Sequence, residues 1–322
     1  MKTTAVTPPV SLHRIPKPNP LAAQDASFGV LDRPVRYHPT KEHPLIVSVS
    51  EIKNFKRCRV RHHWTHQCRL ERLERALPLA IGTFGHEILE RWYALPLIER
   101  TQKTMEKIAR KQAKVTDEKS LSTDDLELVI AMTVGYAGWA KREDALIGVG
   151  DHVLPELWAE VPLTPDADVL LRVKIDTVFE STKFKKTVGH HEHKFVGRIE
   201  TGVFEQAEQI SGYQFALRYL YPKMSSRRSY PNLLRKQLPG PRVTADLFAR
   251  TEEERTDEQL DQWGDDTRRV ALDMLGAAVY PNPTKDCSWD CDFRNPCLLR
   301  GQPDELKTVL DDEYQVRKEY TK

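Results

Sequence analysis

"LLRVKIDTVFE" (170–180) and "TVGHHEHKFV" (187–196), separated by "STKFKK" (181–186), decide how this chain is read. Both longer segments are rich in β-branched residues and run apolar or alternating over strand length, while the lysine-rich hexapeptide between them reads as a loop. The pair predicts two neighbouring strands. Side chains on a strand alternate faces with a period of two, so Glu192 and Lys194 share one face and His191 and His193 point to the other. Hairpin pairing brings Asp176, at the end of the first strand's apolar run, beside Glu192 and Lys194.

Working outward, "ELWAEVPL" (156–163) predicts a strand before this pair and "RVTADLFAR" (242–250) one after it. Helical spacing precedes them. Ser48 or Ser50 caps a helix with Ile52 and Phe55 on one face. "GTFGHEILERWYA" (82–94) reads as a tight turn into a helix striped by Ile88, Leu89, Trp92 and Tyr93. Two further helices are expected over about 97–114 and 123–142, the second capped by Ser122 or Thr123. Helical spacing returns in "FEQAEQISGYQFALRYLY" (204–221) and from Asp257 to about Val279. Helices, three strands, a helix, a strand and a helix suit an α/β fold with a central mixed sheet flanked by helices. Residues 1–44 hold eight of the 21 prolines and read as an extended, poorly ordered arm. Residues 45–302 are expected to form one domain, with a helical insertion at about 97–150 and a cysteine cluster at 287–297. A charged tail follows over 303–322.

Composition bounds the function classes. At 322 residues, 39% hydrophobic and 30% charged, this is a globular chain, and a net charge of +2 argues neither for nor against nucleic acid. No apolar run approaches the roughly 20 residues of a membrane span, and the N-terminus lacks the apolar stretch of a secretory signal. A reducing cytoplasm is expected, where five cysteines suggest metal or redox chemistry over disulfides. Charge is clustered locally. Eight Lys/Arg stand against two glutamates between Lys53 and Arg75, with Trp64 among them, and a second basic run at 223–242 includes Tyr230. Such runs neutralise phosphates and such rings stack on unpaired bases, although a solvated helical face explains them too. No base-reading motif is evident, so DNA bound with weak sequence preference is the expected partner.

Two converging carboxylates make a hard oxygen site suited to Mg²⁺ or Mn²⁺. A lysine beside them can orient water or stabilise charge that develops during phosphodiester attack. Taken alone, D…ExK also describes a solvated strand with a salt bridge. "GTFGH" adds His86 at a helix start as a nitrogen ligand, and "QISGY" puts Gln209 and Tyr213 on one helix face. The histidines of "HHEHKF" (190–195) read as incidental, and "HEILE" (86–90) lacks the second histidine of the zinc protease helix. Cys287, Cys291 and Cys297 cluster near the C-terminus with Cys58 far upstream, a layout less typical of zinc than paired knuckles. Thiolates suit zinc and iron–sulfur alike. Cys68 reads as structural.

With "SVSEIKNFKRC", "GTFGH", "KID", "EHK", "QISGY" and the terminal cysteines, the chain resembles the PD-(D/E)xK nuclease superfamily from about residue 46 to 298. Within it, the chain is similar to the RecB-type branch with iron–sulfur CRISPR adaptation nucleases and phage exonucleases. That resemblance implies a restriction-endonuclease-like core and a metal-dependent DNA exonuclease acting on single strands or ends, in repair, recombination or phage DNA metabolism. It implies a bacterial or phage-infected cell as the setting, with recombination or CRISPR-type protein partners. It implies that His86, Asp176 and Glu192 hold the metal, that Lys194 is catalytic, and that Gln209 and Tyr213 shape the site or hold DNA. It further implies a [4Fe–4S] cluster on Cys58, Cys287, Cys291 and Cys297, with zinc as the alternative. Glu160 sits where some members carry an auxiliary acid. One departure is visible: Lys174 stands where these families usually have glycine. It lies two residues before Asp176, on the same face, where it could crowd the metal or hold a phosphate. That departure supports a rival reading, a non-catalytic iron–sulfur DNA-binding module of the same fold.

Overall fold

The computed structural model describes residues 39–74, 76–116, 121–238 and 246–317. The proline-rich arm lies outside these up to residue 38, as does the last part of the charged tail. Strand β1 (Leu45–Ser48) leads directly into α1 (Val49–Arg57), whose first turn is capped by Ser48 Oγ accepting from the Glu51 amide at 3.2 Å. A cap of this kind stabilises a helix by about 1 kcal/mol. Next come a short α2 (Arg59–His62), a π-helical turn over His63–Gln67 and β2 (Leu70–Arg72). Helices α3 (Leu77–Tyr93), α4 (Gln102–Ala113) and α5 (Thr123–Ile147) form one layer, with α5 opened by a reciprocal Ser122–Asp125 capping box.

The central strands are β3 (Val153–Pro162), β4 (Val169–Glu180) and β5 (Thr187–Val196). Helix α6 (Glu208–Leu220) crosses from β5 to β6 (Ser226–Arg235), which runs parallel to β5. The short β7 (Phe248–Arg250) and β8 (Glu253–Glu254) precede α7 (Asp257–Gly276). The chain then passes through α8 (Arg294–Leu298), α9 (Pro303–Glu313) and β9 (Tyr314–Val316). Seven strands make one mixed sheet in the order β1-β4-β5-β6-β7, with β3 on β4 and β8 on β6. A core of α1, α6 and α7 side chains, including Ile52, Phe215 and Leu260, fills one face. Side chains of α3, α4 and α5, including Ile88, Met105 and Tyr136, cover the other. No helix among the described residues is long and apolar enough to cross a membrane.

Several expectations need correction. Helix α3 begins at Leu77, with Pro78 in its first turn, so Gly82 is inside the helix and His86 is not at its start. Pro at that position is preorganised for helix and forfeits no hydrogen bond. Gly85 has a packing role: a Cβ there would run into the ring of Phe195, so its absence lets α3 approach β5. The basic run at 223–242 contains a buried strand, β6, two of whose arginines are paired with acids: Arg227 meets Asp257 at 2.9 Å and Arg228 meets Glu252 at 2.7 Å. Tyr230 and Trp64 are both buried, so neither ring is offered to a base. The upstream basic run is largely a set of internal ties. Arg57 binds Asp290 at 2.6 Å, Arg61 the Asp290 carbonyl at 3.0 Å, and Arg69 the Arg317 carbonyl at 2.7 Å. Of "RVTADLFAR" only Phe248–Arg250 is strand, and residues 239–245 lie outside the described set. Within the charged tail, α9 packs Leu306 inward and β9 pairs with β2.

Candidate active site

Strand geometry creates the site. β4 pairs with β3 along its length, but its other edge is shared: β1 takes Val169–Arg172 and β5 takes Thr177–Glu180. Between these partners β5 leaves β4 and continues alongside β6 to Val196. The His193 amide is thereby released from the β4 ladder, and it donates to Asp176 Oδ2 at 2.9 Å. On the same edge the Lys174 carbonyl accepts from the Tyr213 hydroxyl of α6 at 2.7 Å. A buried backbone group needs a partner, and the gap between strands supplies functional side chains as those partners.

Strict alternation along β4 fails at this point. Leu171, Val173 and Ile175 pack into the α6/α7 core, whereas Phe179, two pairs of residues further on, packs with Ile147 and Tyr230 on the other side. Opposite Asp176, Glu156 of β3 has φ 51, a left-handed conformation that costs a non-glycine residue about 1 kcal/mol or more. The two strands exchange faces at this step, and Asp176 emerges there into a cleft lined by His86, Glu90, Glu156 and His193.

Within that cleft His86 Nδ1 is 3.4 Å from Asp176 Oδ2. Glu192 pairs with the Lys194 ammonium, which also donates to Gln209 Oε1 at 3.0 Å. Gln209 Nε2 in turn donates to the Tyr213 oxygen at 2.8 Å. The structure thus brings His86, Asp176, Glu192, Lys194, Gln209 and Tyr213 into one connected constellation. Burial, and next the neighbouring Glu192 carboxylate, push the Asp176 carboxyl up to about 6. Burial works against the Lys194 charge, but Glu192 and Asp176 outweigh it and hold that ammonium above its ordinary value. Burial and the same two carboxylates push the Tyr213 phenol well upward, so it acts as a donor and stays protonated.

The remaining residues of interest make other contacts. Lys174 bonds to the cleft-lining Glu156 at 2.5 Å and lies over the Trp158 ring. Glu160 bonds to Arg172 at 2.6 Å, away from the cleft. The histidines of β5 are buried on opposite faces: His190 meets Tyr213, while His191 and His193 meet Tyr93. Burial depresses all three imidazoles, that of His190 to about 3. His190 faces away from the other two, whose rings lie 5.6 Å apart in a buried aromatic cluster. Glu90 and Glu156 are cleft residues that sequence reasoning passed over, the signal for Glu156 being a glutamate at the start of "ELWAEVPL".

Among the described residues no three His, Cys, Asp or Glu side chains close to metal-ligand spacing. Lys194 on Glu192 is the local counter-charge, and the His86 ring sits beside Asp176. The chemistry of the donors still fits a hard divalent cation. Glu192 Oε2 is buried without a hydrogen-bond partner, and two carboxylates repel one another in a low-dielectric cleft. Separately, Cys58, Cys291 and Cys297 border a small core of Trp64, Phe293 and Tyr314. Burial pushes the Cys291 and Cys297 thiols up, and Cys58 and Cys287 add to this from close by. None of the four is in a disulfide. Cys68 is buried within the same small core and meets His63 at 3.3 Å.

A family model described as the PD-(D/E)XK nuclease superfamily matches residues 46–298. Among solved structures, a crystal structure of a "Putative exonuclease" from Eubacterium rectale aligns with 12% identity and a TM-score of 0.47, covering 77% of this chain and 87% of that one. Comparison with curated proteins returned no match.

Proposed function

The chain belongs to the PD-(D/E)XK nuclease superfamily, and from that premise we propose that it is a Mg²⁺- or Mn²⁺-dependent deoxyribonuclease that degrades DNA from ends or along single strands. The observation that carries the reading is the meeting of Asp176, Glu192, Lys194 and His86 where β5 parts from β4. His86, Asp176 and Glu192 would hold the cation. When bound, it supplies Lewis-acid polarisation of the phosphodiester. Lys194 contributes the second positive charge. Fixed between Glu192 and Gln209, it orients water and stabilises negative charge developing on the phosphate. Gln209 and Tyr213 hold that ammonium by a chain of hydrogen bonds ending on the Lys174 carbonyl. The His193 amide fixes the Asp176 carboxylate through Oδ2. Cys58, Cys287, Cys291 and Cys297 would hold a [4Fe–4S] cluster that ties residue 58 to the C-terminal segment, a structural role separate from the chemistry. Repair, recombination and phage DNA metabolism are the settings that call for such an activity.

The test is end-labelled linear DNA incubated with Mg²⁺ or Mn²⁺. Degradation is expected, with a loss of about 10²-fold or more in Lys194→Ala and no activity in Asp176→Ala. Robust cleavage by either variant removes these roles, and an inert wild-type protein with both metals removes the nuclease reading.

A further inference from the structure

Beyond Asp176, the face of β3 and β4 that carries Trp158, Lys174 and Arg172 is left open to solvent, with Trp158 42% exposed in mid-strand. Trp158 stands directly opposite Lys174 in the β3–β4 register, and Glu160 directly opposite Arg172. The charges on this face are matched, Lys174 with Glu156 and Arg172 with Glu160. A neutral strip offers little to a phosphate backbone as a whole. Its distinguishing element is the flat indole, fixed with the Lys174 ammonium 5.5 Å from its ring centre. Lys174 is also the residue that departs from the family's usual glycine.

We propose that Trp158 and Lys174 form a nucleotide subsite beside the catalytic cleft, in which the indole stacks on a base of an unpaired DNA strand and the ammonium reaches the adjoining phosphate. The subsite rests on the nuclease reading, because it takes its ligand from the strand that enters at Asp176. Lys174 is two residues from Asp176, about 7 Å along a strand, so a chain bound across Asp176 carries its next nucleotide onto Trp158. Stacking needs a base with a free face, which a paired and stacked duplex does not present, while every unpaired base has one. Glu156 holds the lysine ammonium at the edge of the cleft until a phosphate competes for it. The face selects for single-strandedness and is indifferent to sequence.

The test compares the affinity of the full-length protein for a thymidine oligonucleotide with that for an abasic oligonucleotide of equal length and charge, by fluorescence anisotropy in Ca²⁺. The wild-type protein is expected to prefer the base-bearing strand about tenfold. Trp158→Ala should lose most of that preference without a change in melting temperature, and Trp158→Phe should keep most of it. Lys174→Met should lower affinity for both strands and reduce the salt dependence by about one phosphate contact. The subsite is overturned by a preference that is absent in the wild type or unchanged in Trp158→Ala. Equal weakening of both strands by Trp158→Ala overturns it too. Cleavage by the same samples in Mg²⁺ and Mn²⁺ separates the two ideas. An inert protein with a Trp158-dependent preference removes the nuclease reading alone, and an active protein without it removes the subsite alone.

Discussion

Replacing Asp176 with asparagine is expected to stabilise the metal-free protein while abolishing its activity. The Asp176 carboxyl is 16% exposed, and burial with repulsion from Glu192 moves it from 3.8 to about 6. At about 1.4 kcal/mol per pKa unit that rise corresponds to about 3 kcal/mol. A carboxyl with a raised folded pKa holds its proton longer in the native state than in the unfolded chain. Stability contributed by that proton is intact below pH 3.8 and is lost as pH rises to about 6. Asparagine cannot ionise, yet its carbonyl oxygen still accepts the His193 amide. Urea denaturation in EDTA at pH 8 should therefore find Asp176→Asn more stable than wild type by about 3 kcal/mol, with the gap falling to about half at pH 5. Adding millimolar Mn²⁺ should raise the wild-type midpoint and leave the variant's in place. The reasoning is refuted if the variant is no more stable in EDTA at pH 8, or if the gap is independent of pH.

The buried pair of Arg250 and Asp144, 2.6 Å apart with each side chain 7% exposed, gives a second expectation. Arg250→Met should destabilise by about 3–5 kcal/mol in urea titrations, because it strands a buried carboxylate, and adding Asp144→Leu should recover part of the loss. The cysteines give a third. After anaerobic purification, Cys297→Ser should reduce iron per chain and the melting temperature, while Cys68→Ser leaves iron content unchanged. Equal iron in both variants counts against the assigned ligand set.

The parts of the fold visible in the sequence are those whose signals are local. The alternation in β4 and β5, the Ser122–Asp125 box and the apolar stripe from Ile88 to Tyr93 act over a few residues, and the structure carries each as strand, cap or packed face. What escaped depends on distant partners. "SRRSYPNLLR" reads as part of a basic run facing nucleic acid or solvent because the acids that neutralise Arg227 and Arg228 lie 24 to 30 residues away. Its proline adds to the disguise, yet Pro231 falls between the residues paired to β8 and those paired to β7. The exchange of faces at Glu156 and Asp176 was equally hidden, since no local pattern announces a left-handed glutamate. The site's residue types were legible through spacing. Their convergence depends on β5 leaving β4 after His191, a property of three strands together.

The pairing of β9 with β2 joins Leu70 to Val316. During synthesis, the small core around Trp64 cannot close until the ribosome has released the chain past Val316. Until Phe293 has emerged Trp64 lacks the ring that meets it at 5.4 Å between ring centres, and until Cys297 has emerged Cys58 lacks the last of its three downstream neighbours. Whatever those thiols bind together can be held by all four only after Cys297 has been made, when every strand of the central sheet, the latest ending at Glu254, has already been synthesised.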